Sequence, residues 1–397
     1  MNIYALTAMT FLSVSGGPIG MEIAMIGSDI YTILSCLTWL LITYIVPIAY
    51  MSYELAIEFK DVQMGGPIGW VQEALGKRWG IANAVWDLID THIDNSIYPV
   101  LFADNAISLG IPEDYKTFVA WGVIFVVFII NWGEVEGLTS IFLSIFILSP
   151  FIGLMLVTPW NNMYVYSSVP TFTSLRTTLT ILIWNVNGYD MTTTYVHKVE
   201  DAEHKYFWAY VFNTIGIYCM MFLVFCLGTY YVHDTSEWID GLFVSIASYH
   251  GVAFKWWMGL SALAASFGVL TAELCSTSYL YNGLHVLGFG KIFQNRQFNL
   301  LINLILLCCG VLIKLDTLIS LSAILNTLTL NCEIVAWLKI KGLSYWRVIC
   351  SCWIFFNNVF IMSCLSMECI VSILISFGLA ILSIWLSEFT ISNEQNI

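Results

Sequence analysis

The chain has 397 residues, of which 59% are hydrophobic and only 10% charged, with a formal net charge of −13 and a mean hydropathy of +0.80. Soluble domains carry roughly 25% charged residues, so this balance excludes a soluble globular fold. Continuous apolar runs of about twenty residues exclude a transmembrane β-barrel as well. What remains is an all-α polytopic membrane protein.

The apolar pattern predicts about 12 transmembrane helices, at approximately 5–28, 31–57, 80–109, 117–131, 138–158, 176–197, 207–231, 254–286, 298–313, 317–338, 346–363 and 367–388. No linker divides the chain, so 1–397 reads as a single membrane domain. The first run is broken at Ser15-Gly16-Gly17-Pro18-Ile19-Gly20-Met21-Glu22. Three glycines and a proline there weaken or remove the helical hydrogen-bond ladder. In lipid, freed backbone groups are tolerated only where protein or a water-filled cavity covers them. A second break is expected at Trp184-Asn185-Val186-Asn187-Gly188-Tyr189-Asp190. Paired discontinuous helices mark the midplane site of a secondary transporter, and they suggest a 5+5 inverted repeat. Repeat one then covers about 5–158 and repeat two about 176–338, with trailing helices at about 346–388. No signal peptide is visible, because the first apolar run leads into Gly16-Gly17-Pro18 without a basic start or a small-residue cleavage site.

Lys60, Lys77, Arg78, Lys198, Lys205, Lys291, Arg296, Lys339, Lys341 and Arg347 fall on one side of these spans. Only Lys116, Arg176, Lys255 and Lys314 fall on the other. By the positive-inside rule both termini are cytoplasmic. The outer loops carry Glu113, Asp114, Asp234, Glu237 and Asp240, a surface that would concentrate cations at the entrance. The eleven cysteines lack the paired spacing of metal sites and read as small apolar fillers.

Span three carries Asp87, Asp90 and Asp94 on one helical face. Charged groups inside a membrane helix are costly and face a cavity by default. Asp94, the deepest, is the preferred amine ligand; Asp87 is expected nearer the cytoplasmic end in contact with solvent. Glu22 falls just after the first break, Asp190 closes the second, and Glu273 lies within span eight. Several acidic groups suit a substrate with two or more ammonium groups, and one of them is the candidate carrier of a coupling proton. The alternative is that each locks helix packing through a neighbouring polar group. Glu333 is expected at the inner interface. Aromatic residues make up 15% of the chain, so most face lipid; Tyr98 and Trp184 stand out only by position, as faces for an ammonium group. His92 and His197 read as hydrogen-bonding groups ahead of proton relays.

Gly16-Gly17-Pro18-Ile19-Gly20-Met21-Glu22 resembles the first-helix signature of the amino acid/polyamine/organocation transporter superfamily. Within it, the polyamine uptake and L-type amino acid permease branch is the most similar. Glu54-Leu55-Ala56 with Gly65-Gly66-Pro67-Ile68-Gly69-Trp70 looks like the family's loop after helix two. Ile93-Asp94-Asn95-Ser96-Ile97-Tyr98-Pro99-Val100-Leu101-Phe102 looks like its third helix. Trp184 to Asp190, Trp238 to Phe243, and Ala272-Glu273-Leu274-Cys275-Ser276-Thr277 match in order. The resemblance implies the five-plus-five fold and uptake or exchange of amino acids or polyamines. The sixth helix departs from it at Val196-His197-Lys198-Val199-Glu200, and span five holds no basic residue.

The expected activity is therefore secondary transport of polyamines or related cationic amines by alternating access, with amino acid permease as the alternative. The substrate site is expected to use Gly16, Gly17, Gly20, Glu22, Asp94, Tyr98, Trp184, Asn185, Gly188, Asp190 and Glu273. Neither catalysis, a metal, a nucleic acid partner nor a cofactor beyond a coupling proton is expected. The lipid bilayer, most simply the plasma membrane, is the surrounding partner. A half-helix starting at Gly20 offers bare N–H groups to the cavity. Glu22 beside it would oppose a substrate carboxylate, which favours an amine-only substrate.

Overall fold

The computed structural model describes residues 1–26, 28–161, 171–239, 241–362 and 377–384. Asp240 and most of the last expected span, 367–388, lie outside the described residues. The α-helices run, in chain order, α1 Ile3–Val14, α2 Ile30–Leu40, α3 Val46–Glu58, α4 Pro67–Leu75 and α5 Lys77–Ser108. They continue as α6 Lys116–Trp132, α7 Glu136–Val157, α8 Phe172–Trp184, α9 Ala202–Tyr231 and α10 Leu242–Ser248. These are followed by α11 Val252–Leu280, α12 Asn282–Val286, α13 Arg296–Gly310, α14 Leu315–Lys341 and α15 Tyr345–Met362. No strand occurs among the described residues.

Among the described residues six segments are long and apolar enough to cross a membrane: Ile30–Glu58, Glu113–Trp132, Glu136–Val157, Ala202–Tyr231, Val252–Val286 and Leu321–Lys341. Ile3–Val14 and Arg296–Gly310 are shorter apolar helices. The chain is a multi-pass helical membrane protein. The first of these segments is continuous through a π-helical turn, Leu41–Ile45. Pro47 follows that turn and cannot donate to the ladder, which a wider turn accommodates.

The structure divides into two compact units, one of Met1–Ala49, Tyr98–Tyr189 and Glu203–Glu273, the other of Tyr50–Ile97, Asp190–Ala202 and Leu274–Ile397. Helices in lipid gain little from apolar burial and associate through close packing and polar contacts. The first unit shows both. Gly137 lets α7 approach α1, since a Cβ there would lie 3.1 Å from the Ala5 Cβ. Asn213 of α9 donates to the Thr7 carbonyl of α1 at 3.1 Å, and Asn131 of α6 to the Thr271 carbonyl of α11 at 3.1 Å. Trp238 is fully buried against Gly228, whose missing side chain makes room for the indole.

In the second unit α5 is wedged between two apolar clusters. Ala82 and Trp86 pack with Leu325, Cys332 and Ala336 of α14. Ile81 and Ala84 pack with Ile68, Met191, Leu280 and Leu287. Gly65, at φ +74°, passes so close to α12 that a Cβ would sit 2.3 Å from the Gly283 nitrogen. This loop therefore turns the chain and also anchors it. At the other end Glu54 of α3 gathers four donors. Arg347 grips it with Nε and Nη2, both at 2.8 Å, Trp337 Nε1 donates at 2.8 Å and the Tyr50 hydroxyl at 3.0 Å.

Candidate functional site

Both sequence-predicted breaks are present. α1, capped by Asn2 through the Ala5 N–H at 2.8 Å, ends at Val14. Gly16, Gly17 and Gly20 then take φ of +64°, +114° and +90°. These left-handed values suit glycine, which has no Cβ to clash. α8 likewise stops at Trp184, and Gly188 takes φ +114°. The half-helices expected after the breaks differ from what forms. After the first comes one 3-10 turn, Glu22–Met25, and regular helix resumes only at Ile30, where Asp29 caps it through the Thr32 N–H at 2.7 Å. After the second comes a longer 3-10 run, Met191–Lys198. There Thr193 and Thr194 turn their hydroxyls back onto the carbonyls of Asp190 and Met191, at 2.5 and 2.9 Å. Such back-bonding holds the tighter i to i+3 geometry in place of an α-helix.

The first unit contains Gly16, Gly17, Gly20, Glu22, Tyr98, Trp184, Asn185, Gly188 and Glu273. It brings the two breaks together: a Cβ on Gly188 would lie 2.5 Å from the Ser13 carbonyl oxygen at the end of α1. Gly16 is covered by Val269 of α11 and Gly17 by Ile147 of α7. Glu273, buried, stands one turn beyond Val269. Gly20 faces open space. Its N–H donates to Glu22 Oε2 at 2.7 Å, so Glu22 is a buried cap of this opening. Tyr98 and Trp184 stack, with ring centroids 6.4 Å apart and 13° between planes. Asn185 Nδ2 donates to the Ile181 carbonyl at 2.9 Å, closing the end of α8.

The second unit contains Asp94 and Asp190 and adds groups that the sequence reading undervalued. Asp94 is half-buried and accepts a long hydrogen bond, 3.4 Å, from Ser322 of α14. Asp87 and Asp90, on the same stripe of α5, are buried, so the solvent contact expected for Asp87 does not occur. Asp190 opens the 3-10 run, with the N–H groups of Asp190 and Met191 facing its carboxylate. Glu333 corrects the interface expectation. It is about 1% exposed, and the charges of both Asp190 and Asp87 act on it. The signal for Glu333 was a lone carboxylate in an apolar helix; its position near the inner end of the run misled, because α4 and α15 pack against α14.

No basic side chain acts on Asp87, Asp90, Asp190 or Glu333 among the described residues. Elsewhere in this unit His92 Nε2 and the Tyr281 hydroxyl share a hydrogen bond of 2.7 Å. That pair lines a cavity of about 440 Å³ whose walls are otherwise chiefly apolar, with none of the carboxyl groups. Both His92 and His197 pack against tyrosine rings, His92 on Tyr281 and His197 on Tyr279.

No protein-family model matches this chain. Polyamine transporter PUT1 of Oryza sativa subsp. japonica is 28% identical over 301 residues, covering 72% of this chain and 55% of the relative. Polyamine transporter RMV1 of Arabidopsis thaliana is 25% identical over 312 residues, covering 75% of this chain and 63% of the relative. The chain is similar to plant proteins named as polyamine transporters. It spans little more than half to under two thirds of the length of these curated relatives. Both carry the names of transporters, and neither that of an enzyme.

Proposed function

We infer that the protein is a secondary active transporter of polyamines or closely related cationic amines. The observation that carries this reading is the set of buried carboxyl groups Asp87, Asp90, Asp190 and Glu333, which have no internal counter-cation among the described residues. Ionised groups buried without a partner are strongly destabilising, and intramembrane acidic residues mark cation pathways. A ligand bearing several ammonium groups supplies the missing charge. The names of the relatives point the same way. Glu22 supports an amine over an amino acid, because its carboxylate already occupies the Gly20 N–H that would otherwise greet a substrate carboxylate.

In this reading twelve helices are arranged as two inverted repeats with two trailing helices, as the two interrupted helices suggest. Both termini face the cytoplasm by the placement of Lys and Arg, and the plasma membrane is the setting. Within the second unit Asp94 and Asp190 are substrate-binding groups, and within the first Glu22, Glu273 and the Tyr98–Trp184 pair; a proton is the coupling ion.

Uptake into proteoliposomes tests it. With an imposed proton gradient, labelled putrescine and spermidine should accumulate, while arginine and leucine neither accumulate nor compete. Accumulation of leucine that excess spermidine leaves untouched would overturn the substrate assignment.

A further inference from the structure

Asp87 of α5, Asp190 at the head of the 3-10 run and Glu333 of α14 all belong to the second unit. Their exposures are 4%, 6% and 1%. Their chain neighbours pack together and bring the three elements side by side. Ala84 shares one apolar cluster with Met191, the residue after Asp190. Trp86 shares another with Cys332, the residue before Glu333. One oxygen of Asp87 and one of Glu333 find no hydrogen-bond partner among the described residues. Asn83 is fully buried one turn before Asp87, and neither its amide oxygen nor its amide nitrogen has a partner among the described residues. Residues four apart on a helix share a face, so Asn83 turns toward the same place as Asp87.

Buried polar groups in native proteins are almost always satisfied, and the exceptions mark ions, waters or function. The cation that answers such carboxyls is an ammonium group or a compact metal ion. No three His, Cys, Asp or Glu side chains among the described residues are arranged to hold one. A flexible chain with nitrogens set apart along it answers carboxyls at more than one position along α5. Asp94 gives the spacing. It follows Asp87 by seven residues on the same stripe, about 10 Å along the axis.

We propose that Asp87, Asp190 and Glu333, with the Asn83 amide oxygen beside them, form a second ammonium subsite, which holds one end of a long polyamine while Asp94 holds the other. The subsite rests on the polyamine reading above and extends it to selectivity by chain length. Spermine, with four nitrogens, reaches both ends; putrescine, with two close together, engages one at a time.

The test is equilibrium binding of labelled spermine and labelled putrescine to the purified full chain. Glu333→Gln should weaken spermine at least tenfold and putrescine less than threefold. Equal losses for the two amines, or an unchanged spermine affinity, overturn the subsite. Glu333→Lys provides a second readout that does not depend on the first variant folding well. Its own ammonium takes the ligand's place, so it should melt higher than the parent and gain nothing from added spermine. A Glu333→Lys protein that melts lower than Glu333→Gln overturns the subsite too. A parent protein that binds neither amine instead defeats the polyamine reading itself.

Discussion

Single residues decide whether the two breaks exist. Gly188 combines φ +114° with a Cβ position 2.5 Å from the Ser13 carbonyl oxygen, which is backbone and cannot swing away. Gly20 shares the left-handed backbone, at φ +90°, but faces open space. Left-handed backbone costs a non-glycine residue roughly 1–3 kcal/mol. Gly20→Ala should therefore lower the melting temperature modestly, whereas Gly188→Ala should add the clash and abolish both the folded peak and uptake. Matching thermal-melt curves for the two variants would refute the close approach of the breaks. Glu22 is separable in the same way. Removing a capping acceptor costs about 1 kcal/mol, so Glu22→Ala should lose that stability. Glu22→Gln keeps an acceptor oxygen and should melt close to the parent. A Glu22→Gln protein that folds normally yet loses amine affinity would show that the carboxylate contacts substrate as well as capping.

At the scale of elements, the Glu54 knot ties α3, α14 and α15 of the second unit. Arg347 grips both carboxylate oxygens of Glu54, Trp337 adds an indole N–H, and Lys341 pairs with Glu58 at 2.8 Å one turn on. Glu54 and Arg347 side chains are only 13% and 18% exposed. Breaking a fully buried pair by removing one partner costs about 3–5 kcal/mol, an exposed pair is worth about 0–1 kcal/mol, and the half-buried Glu54–Arg347 pair falls between them. The Glu58–Lys341 pair, with Glu58 45% exposed, belongs to the second class. Glu54→Ala should thus lower thermal stability far more than Glu58→Ala. A double-mutant cycle should assign Glu54 and Arg347 a coupling of about 2 kcal/mol or more. Comparable effects at 54 and 58 would mean that the knot is solvated. The local chemistry of the breaks was readable from composition, since Gly and Pro stop helices wherever they cluster. The 3-10 character of Met191–Lys198 was not, because it depends on hydroxyls folding back onto particular carbonyls.

For the whole molecule, the acidic balance and the burial of unpaired carboxyls lead to one thermodynamic expectation. A ligand that binds only the folded state stabilises it by about 2.7 kcal/mol at a hundred times its dissociation constant. Spermidine should therefore raise the melting temperature of the detergent-solubilised protein, and arginine at the same concentration should not. Differential scanning fluorimetry decides it; a shift with arginine alone would favour an amino acid permease.

The sequence by itself determined the class of protein, the two interruptions and most of the groups named here. Hydropathy, helix-breaking residues and costly charges in apolar runs are properties of short stretches of chain. The partition of those groups was settled only by tertiary structure. Tyr98 found Trp184 and Gly188 found Ser13 in one unit, while Asp87, Asp190 and Glu333 drew together in the other. Glu333 shows why. Its distance from the end of an apolar run suggested the interface, but burial is fixed by what packs around a helix, and α4, which packs on α14, lies far from it in sequence.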